Sequence, residues 1–260
     1  MTMSTFLIRA YTAVMLALLT FPIFLVIPMS FSATRYLQFP PEEYSLRWYQ
    51  FLWESAAWQE AALRSLGISA AATLIALPIG TLAALGVSRS SGATGRIVTM
   101  LSLGPQIVPA VIVALGALLV SAGLGLYGNP LALVLVHACL GIPFVLLVVT
   151  PVLREGSEQY MRAARSLGAG FWRAVFTVVL PQIMPALFAS AVFVFFISFD
   201  ELVIALFLMG GTETLPMRIW SDLRNELTPA VAAVSTILIL VTLAAIIPAE
   251  IYRNKKRRAP

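Results

Sequence analysis

Charge is the scarcest commodity in this sequence. Only 11% of its 260 residues are charged, against 60% hydrophobic. A water-soluble domain carries about 25% charged residues, so this chain cannot clothe itself in polar surface on all sides. Cysteine and histidine are nearly missing too: Cys139 and His137 stand alone. One cysteine excludes an internal disulfide framework, and one of each leaves no zinc site. No Gly-x-x-x-x-Gly-Lys run occurs, so the chain carries no nucleotide-binding loop of that type. Nothing implies a bound cofactor or metal, and paired central carboxylates for a membrane-embedded enzyme are lacking.

Long apolar runs are what the sequence does have. A helix needs about 20 mostly apolar residues to cross the hydrocarbon of a bilayer. Six runs qualify, at about 11–30, 65–87, 97–124, 131–153, 181–209 and 229–251. The expected fold class is therefore all-α: a polytopic membrane protein with about six transmembrane helices in one domain, 1–260. The first run follows a single basic residue, Arg9, and resembles a secretory leader. Its length, and bulky Phe31 where a cut after Ala33 would need a small residue, favour an uncleaved span. Between the first two runs lies a polar stretch rich in Trp48, Tyr49, Phe51, Trp53 and Trp58, suited to the headgroup layer. Pro105, Pro109 and Pro143 interrupt spans, and Gly67, Ala71, Gly80, Ala84, Gly116 and Gly123 are small enough for close helix approach.

Lysine and arginine favour the cytoplasmic side of a membrane. With both termini inside, Arg9, Arg89, Arg96, Arg154, Arg162, Arg165, Arg173, Arg253, Lys255, Lys256, Arg257 and Arg258 fall there, 12 of 17 basic residues. The net charge of +5 is thus topological. The basic tail is expected to meet anionic lipid rather than nucleic acid.

The loop 154–180 holds the most chemistry. Tyr160, Ala163, Ala164 and Leu167 recur at helical spacing on one face, with Glu158, Arg162 and Arg165 on another. Ser157 is placed to cap this helix and Glu158 to pair with Arg162. Gly168 and Gly170 end it, because glycine accepts the left-handed geometry that closes a helix. A second short helix over 171–179 leads to Pro181. Two readings fit: an interfacial connector, or a peg whose small side chains let it seat in a partner's groove.

The spacing Ala163-Ala164, three residues, Gly168, nine residues, Val178, one residue, Leu180-Pro181 resembles the "EAA" loop of ABC-importer permeases. Arg162 stands where that pattern has Glu, and Val178 where it has Ile. Ser198-Phe199-Asp200-Glu201 and Thr214-Leu215-Pro216-Met217-Arg218-Ile219-Trp220 extend the likeness over almost the whole chain, to the second permease subunit of spermidine/putrescine-type importers; opine permeases are similar. The resemblance implies a type I ABC importer permease fold in the bacterial inner membrane. It also implies a second permease, two cytoplasmic ATPase subunits that use the ATP, and an extracytoplasmic binding protein. Glu158, Arg162, Ala163, Ala164, Gly168, Leu180 and Pro181 would form the ATPase-coupling loop. A stand-alone secondary transporter or channel is the alternative, but it would have no use for that loop.

Asp200 and Glu201 are the acids placed inside a span. Counted from Pro181 at about 1.5 Å per residue, they lie roughly 29 Å up the helix, near the outer interface. Such acids face a cavity or a partner. They either offer an anionic site to a cationic solute such as a polyamine, or mark a helix end where one carboxylate caps the next turn. His137 reads as a buried histidine bonded to a neighbour.

Overall fold

The computed structural model describes the backbone of residues 3–90 and 92–258, and their side chains except those of 3, 4, 6, 157, 158 and 245–258. Twelve α-helices follow one another among these residues. They are α1 (Met3–Met29), α2 (Arg47–Glu54), α3 (Ala56–Arg89), α4 (Ala93–Ile107), α5 (Ala110–Gly123) and α6 (Pro130–Val152), then α7 (Glu158–Ser166), α8 (Phe171–Ala174), α9 (Leu180–Asp200), α10 (Val203–Leu208), α11 (Leu215–Asn225) and α12 (Pro229–Arg258). Two π-helical turns, Leu153–Ser157 and Val175–Val179, lead into α7 and α9.

Four helical runs among the described residues are long and apolar enough to cross a bilayer: Leu7–Met29, Ala56–Arg89, Pro130–Gly156 and Phe171–Asp200. The third expected span falls on α4 and α5, which are long and apolar enough only as a pair and meet at 98°, the geometry of a broken span or a re-entrant loop. The sixth expected span falls on α12, whose described apolar part is Pro229–Ala244. The break in the third span falls at Pro109: Val108 before it is extended, as a residue preceding proline prefers, whereas Pro105 stays within α4. The fifth span differs from expectation. Its helix ends at Asp200, Glu201 turns extended, and α10 is a separate element.

By contacts the chain forms two compact units, Met1–Gln59 with Ile219–Pro260, and Glu60–Arg218. In the first unit α12 packs on both α1 and α2. The segment after α1 folds back through an antiparallel bridge between Ser32 and Tyr44. The Trp48 indole donates to the Thr34 carbonyl at 3.2 Å, which buries Trp48 and Leu52 on one side of α2 and leaves Trp53 81% exposed.

The second unit is built on α3, α6 and α9. In a bilayer, helices associate through close packing, because lipid is as apolar as leucine. On α3, Ala72, Ala76, Gly80 and Ala84 recur every four residues and are all buried. A Cβ added at Gly80 would stand 2.5 Å from the Val145 Cβ of α6. One at Gly141 of α6 would stand 2.6 Å from the Val194 Cγ1 of α9 and 3.1 Å from the Ala76 Cβ of α3. Gly67, Gly116 and Gly123 differ from expectation: a Cβ there would meet nothing within 4 Å in this chain. The core divides into two clusters. One gathers Ala76, Val149, Leu153, Met161, Ala174 and Val175; the other gathers Ile68, Ala114, Leu133, Ile204 and Leu208.

Candidate functional site: the loop between α6 and α9

The chain does not leave α6 by a simple turn. It widens into the π-helical turn Leu153–Ser157 and runs into α7. Met161 is 4% exposed and joins the core cluster of α3, α6 and α9, with Ala164 packed against it. Tyr160, Ala163 and Leu167 point outward, Leu167 with 89% of its surface free. The face expected to be uniform is therefore split: Ala164 turns in to anchor the helix, and Ala163 and Leu167 turn out. Arg162 and Arg165 are exposed beside them. The expected Ser157 cap and Glu158–Arg162 pair rest on side chains outside the described residues.

Gly168 closes α7 with φ of +88°. The Ala169 N–H reaches the Ala164 carbonyl at 3.1 Å and the Gly168 N–H reaches that of Arg165 at 3.0 Å. This is the paired bonding of a Schellman cap, which needs a left-handed residue where glycine stands. The chain then reverses into α8, whose Ala174 is fully buried. The short helix expected over 171–179 does not stop short of Pro181: helix continues from Phe171 to Asp200. The wide turn at Val175–Val179, where the Leu180 N–H reaches back to the Val175 carbonyl, takes up the misfit. Pro181 has no N–H to give, and its ring crowds the carbonyl four residues earlier. Leu180 is half-buried and Pro181 exposed. The loop is thus a reversal that sets Met161 and Ala174 in the core of the spans and leaves Ala163 and Leu167 exposed.

The two acids of the fifth span have different surroundings. Asp200 is exposed at the end of α9. Glu201 is mostly covered, and its carboxylate accepts from the Ile204 N–H at 2.9 Å and the Ala205 N–H at 3.2 Å. It satisfies donors that the first turn of a helix leaves open. Behind it, His137 of α6 is 3% exposed. Its Nδ1 lies 2.7 Å from the Ser198 Oγ of α9, and its Nε2 lies 3.6 Å from the Glu201 Oε2. One imidazole thus bonds α6 to α9 and turns its other nitrogen toward the cap of α10. Sequence reasoning placed His137 in a hydrogen bond but missed this triangle, since no spacing rule links residue 137 to 198 and 201. Among the described residues, no three His, Cys, Asp or Glu side chains gather as a metal site.

A family model described as "Binding-protein-dependent transport system inner membrane component" matches residues 76–257, from the middle of α3 to the end of α12. The chain belongs to that family. It is an inner-membrane transport permease and not an enzyme. The permease is 29% identical over 259 residues to the spermidine/putrescine transport system permease protein PotC of Haemophilus influenzae, covering 97% of this chain and 99% of that one. It is 34% identical over 208 residues to the putrescine transport system permease protein PotI of Escherichia coli K12, covering 75% and 73%. Its fold matches a chain from the crystal structure of a bacterial ABC transporter involved in the import of the acidic polysaccharide alginate, with a TM-score of 0.71 over 98% of each chain. At 16% identity that likeness concerns the fold, which is that of an ABC importer permease.

Proposed function

We propose that this permease forms half of the passage of an ATP-driven importer for a small cationic solute of the polyamine class, in one membrane domain with both termini in the cytoplasm. A second permease supplies the other half, two ATPase subunits act from the cytoplasm, and an extracytoplasmic binding protein delivers the solute. The ATP is theirs; this chain contributes helices. The reading draws on the family match, on relatives named for spermidine and putrescine, and on the basic residues gathered at the α7–α8 loop.

The observation that carries it is the two-sided loop. Leu167, Ala163 and Tyr160 stand free, while Met161 and Ala174 are locked into the spans. A force applied to the outer face passes into α3, α6 and α9 because packed helices move as bodies. Asp200, exposed where α9 ends, is the group offered to a cation on the passage wall. Glu201, engaged by α10 and His137, sets the shape of that wall. The experiment is co-purification and uptake. The chain should bring down a soluble ATPase and a second permease, and uptake by the reconstituted assembly should need ATP. Cation flux through the chain alone, driven by an ion gradient and with no ATPase bound, would instead establish a secondary transporter or channel.

A further inference from the structure

A groove runs along the second unit between α3 and the α8–α9 helix. Its volume is about 420 Å³, and Leu77, Thr81, Leu82 and Leu85 face Trp172 and Phe176 across it. Thr81 is the one polar residue of the lining, and its hydroxyl is spent on the Leu77 carbonyl of its own helix at 2.6 Å. Apart from the remaining lone pairs of that oxygen and the Trp172 indole N–H the lining is apolar, and it holds no carboxylate, so nothing in it offsets the cost of desolvating an ammonium group, whereas hydrocarbon fits. Leu85 and Val175 are buried in its floor, and Leu82, Trp172 and Phe176 are exposed at its lips.

One end of the groove is cationic. Leu77, Thr81, Leu85 and Arg89 succeed one another at four-residue steps, so they share a face of α3. The Arg89 guanidinium lies 4.5 Å from the centroid of the Phe171 ring, and that ring meets Trp172 at 5.0 Å. Arg173 is exposed next to Trp172. Arg154, also exposed, donates to the Val87 carbonyl at 3.4 Å. Against these cations stands the exposed Glu155 of the same π-turn. An apolar slot with a tryptophan at its lip and arginines past its end is the complement of an anionic phospholipid, acyl chain in the slot and phosphate at the basic end.

We infer that this groove is a binding site for an anionic phospholipid of the cytoplasmic leaflet. The inference rests on the proposed reading in that it places this end in the cytoplasm. It adds a consequence. One wall of the slot, Trp172, Val175 and Phe176, belongs to the loop through which the ATPase acts, so the lipid braces that loop against α3.

The test uses the assembled complex in nanodiscs of phosphatidylcholine with or without phosphatidylglycerol, with native mass spectrometry of the lipid retained on release. Phosphatidylglycerol should be retained in preference to phosphatidylcholine. Arg89→Gln with Arg173→Gln should cut that retention on the order of tenfold, and Leu82→Trp, which fills the slot from an exposed position, should abolish it. Equal retention of both lipids, or retention unmoved by both variants, overturns the site. So does efficient cross-linking of Leu82→Cys to the partner permease, which would show a protein helix in the slot. A permease that retains the lipid but brings down no ATPase in the co-purification refutes the proposed function and leaves this site standing.

Discussion

The Nδ1 of His137 and the Oγ of Ser198 lie 2.7 Å apart in the buried seam between α6 and α9. That bond fixes the imidazole so that its other nitrogen faces the carboxylate which caps α10. Removing the ring leaves the Ser198 hydroxyl buried and unpaired, at a cost of about 1–3 kcal/mol. His137→Ala should lower the thermal midpoint of the detergent-solubilised protein, and Ser198→Ala should lower it less once His137 is gone. Strict additivity of the two would show that the residues do not act together.

Glu201 and Asp200 are neighbours in sequence with separate tasks, and conservative substitutions separate them. Glu201→Gln keeps an oxygen for the Ile204 N–H and should leave uptake close to normal. Glu201→Ala strips the cap, a loss of about 0.5–2 kcal/mol by analogy with other helix caps, and should reduce uptake chiefly through less folded protein in the membrane. Asp200→Asn should instead raise the KM for a cationic solute while the amount of folded protein holds. An unchanged KM in Asp200→Asn would remove this carboxylate from the passage wall.

The contrast shows where the sequence was informative. Composition and run length marked the apolar stretches, four of which form helices long enough to cross a bilayer, and the Gly168 spacing gave the loop its closing geometry. The broken ends were harder. Nothing local says that Pro109 rather than Pro105 breaks a helix, because that depends on what re-satisfies the freed carbonyls. Small residues were visible as types, but only packing shows that Gly80 and Gly141 are crossings while Gly67 and Gly116 meet nothing in this chain. The inward turn of Ala164 was hidden for the same reason: Met161, which sets the buried side of α7, looks like any other apolar residue in a list.

Gly141 gives a test of that packing with its own rescue. Gly141→Ala puts a Cβ 2.6 Å from Val194 Cγ1, and forced shifts in a packed core cost about 1–3 kcal/mol. Val194→Ala removes the opposing methyls, so the double variant should recover part of the midpoint lost by Gly141→Ala. Gly67→Ala, with nothing within 4 Å, should move the midpoint little or raise it slightly, since alanine is the better helix former. Equal losses at Gly67 and Gly141 would show that the crossing is not where this packing puts it.

The outer and inner faces of α7 should fail in different ways. Leu167→Asp and Ala163→Asp change only exposed surface, where substitutions usually stay within about 0.5 kcal/mol, so both proteins should insert and purify normally. Each should nonetheless lose ATP-driven uptake and release the ATPase during purification. Met161→Asp buries a carboxylate with no partner and should cost several kcal/mol, seen as little folded protein in the membrane. Gly168→Ala is intermediate. It keeps the surface but forces a side chain into φ of +88°, at roughly 1–2 kcal/mol, so the protein should fold with a lower midpoint and couple weakly. Side-by-side measurement of membrane yield, ATPase retention and uptake for the four variants separates the gripping face from the anchoring one. If Leu167→Asp and Ala163→Asp both retain the ATPase and full uptake, the free side of α7 is not what the motor holds.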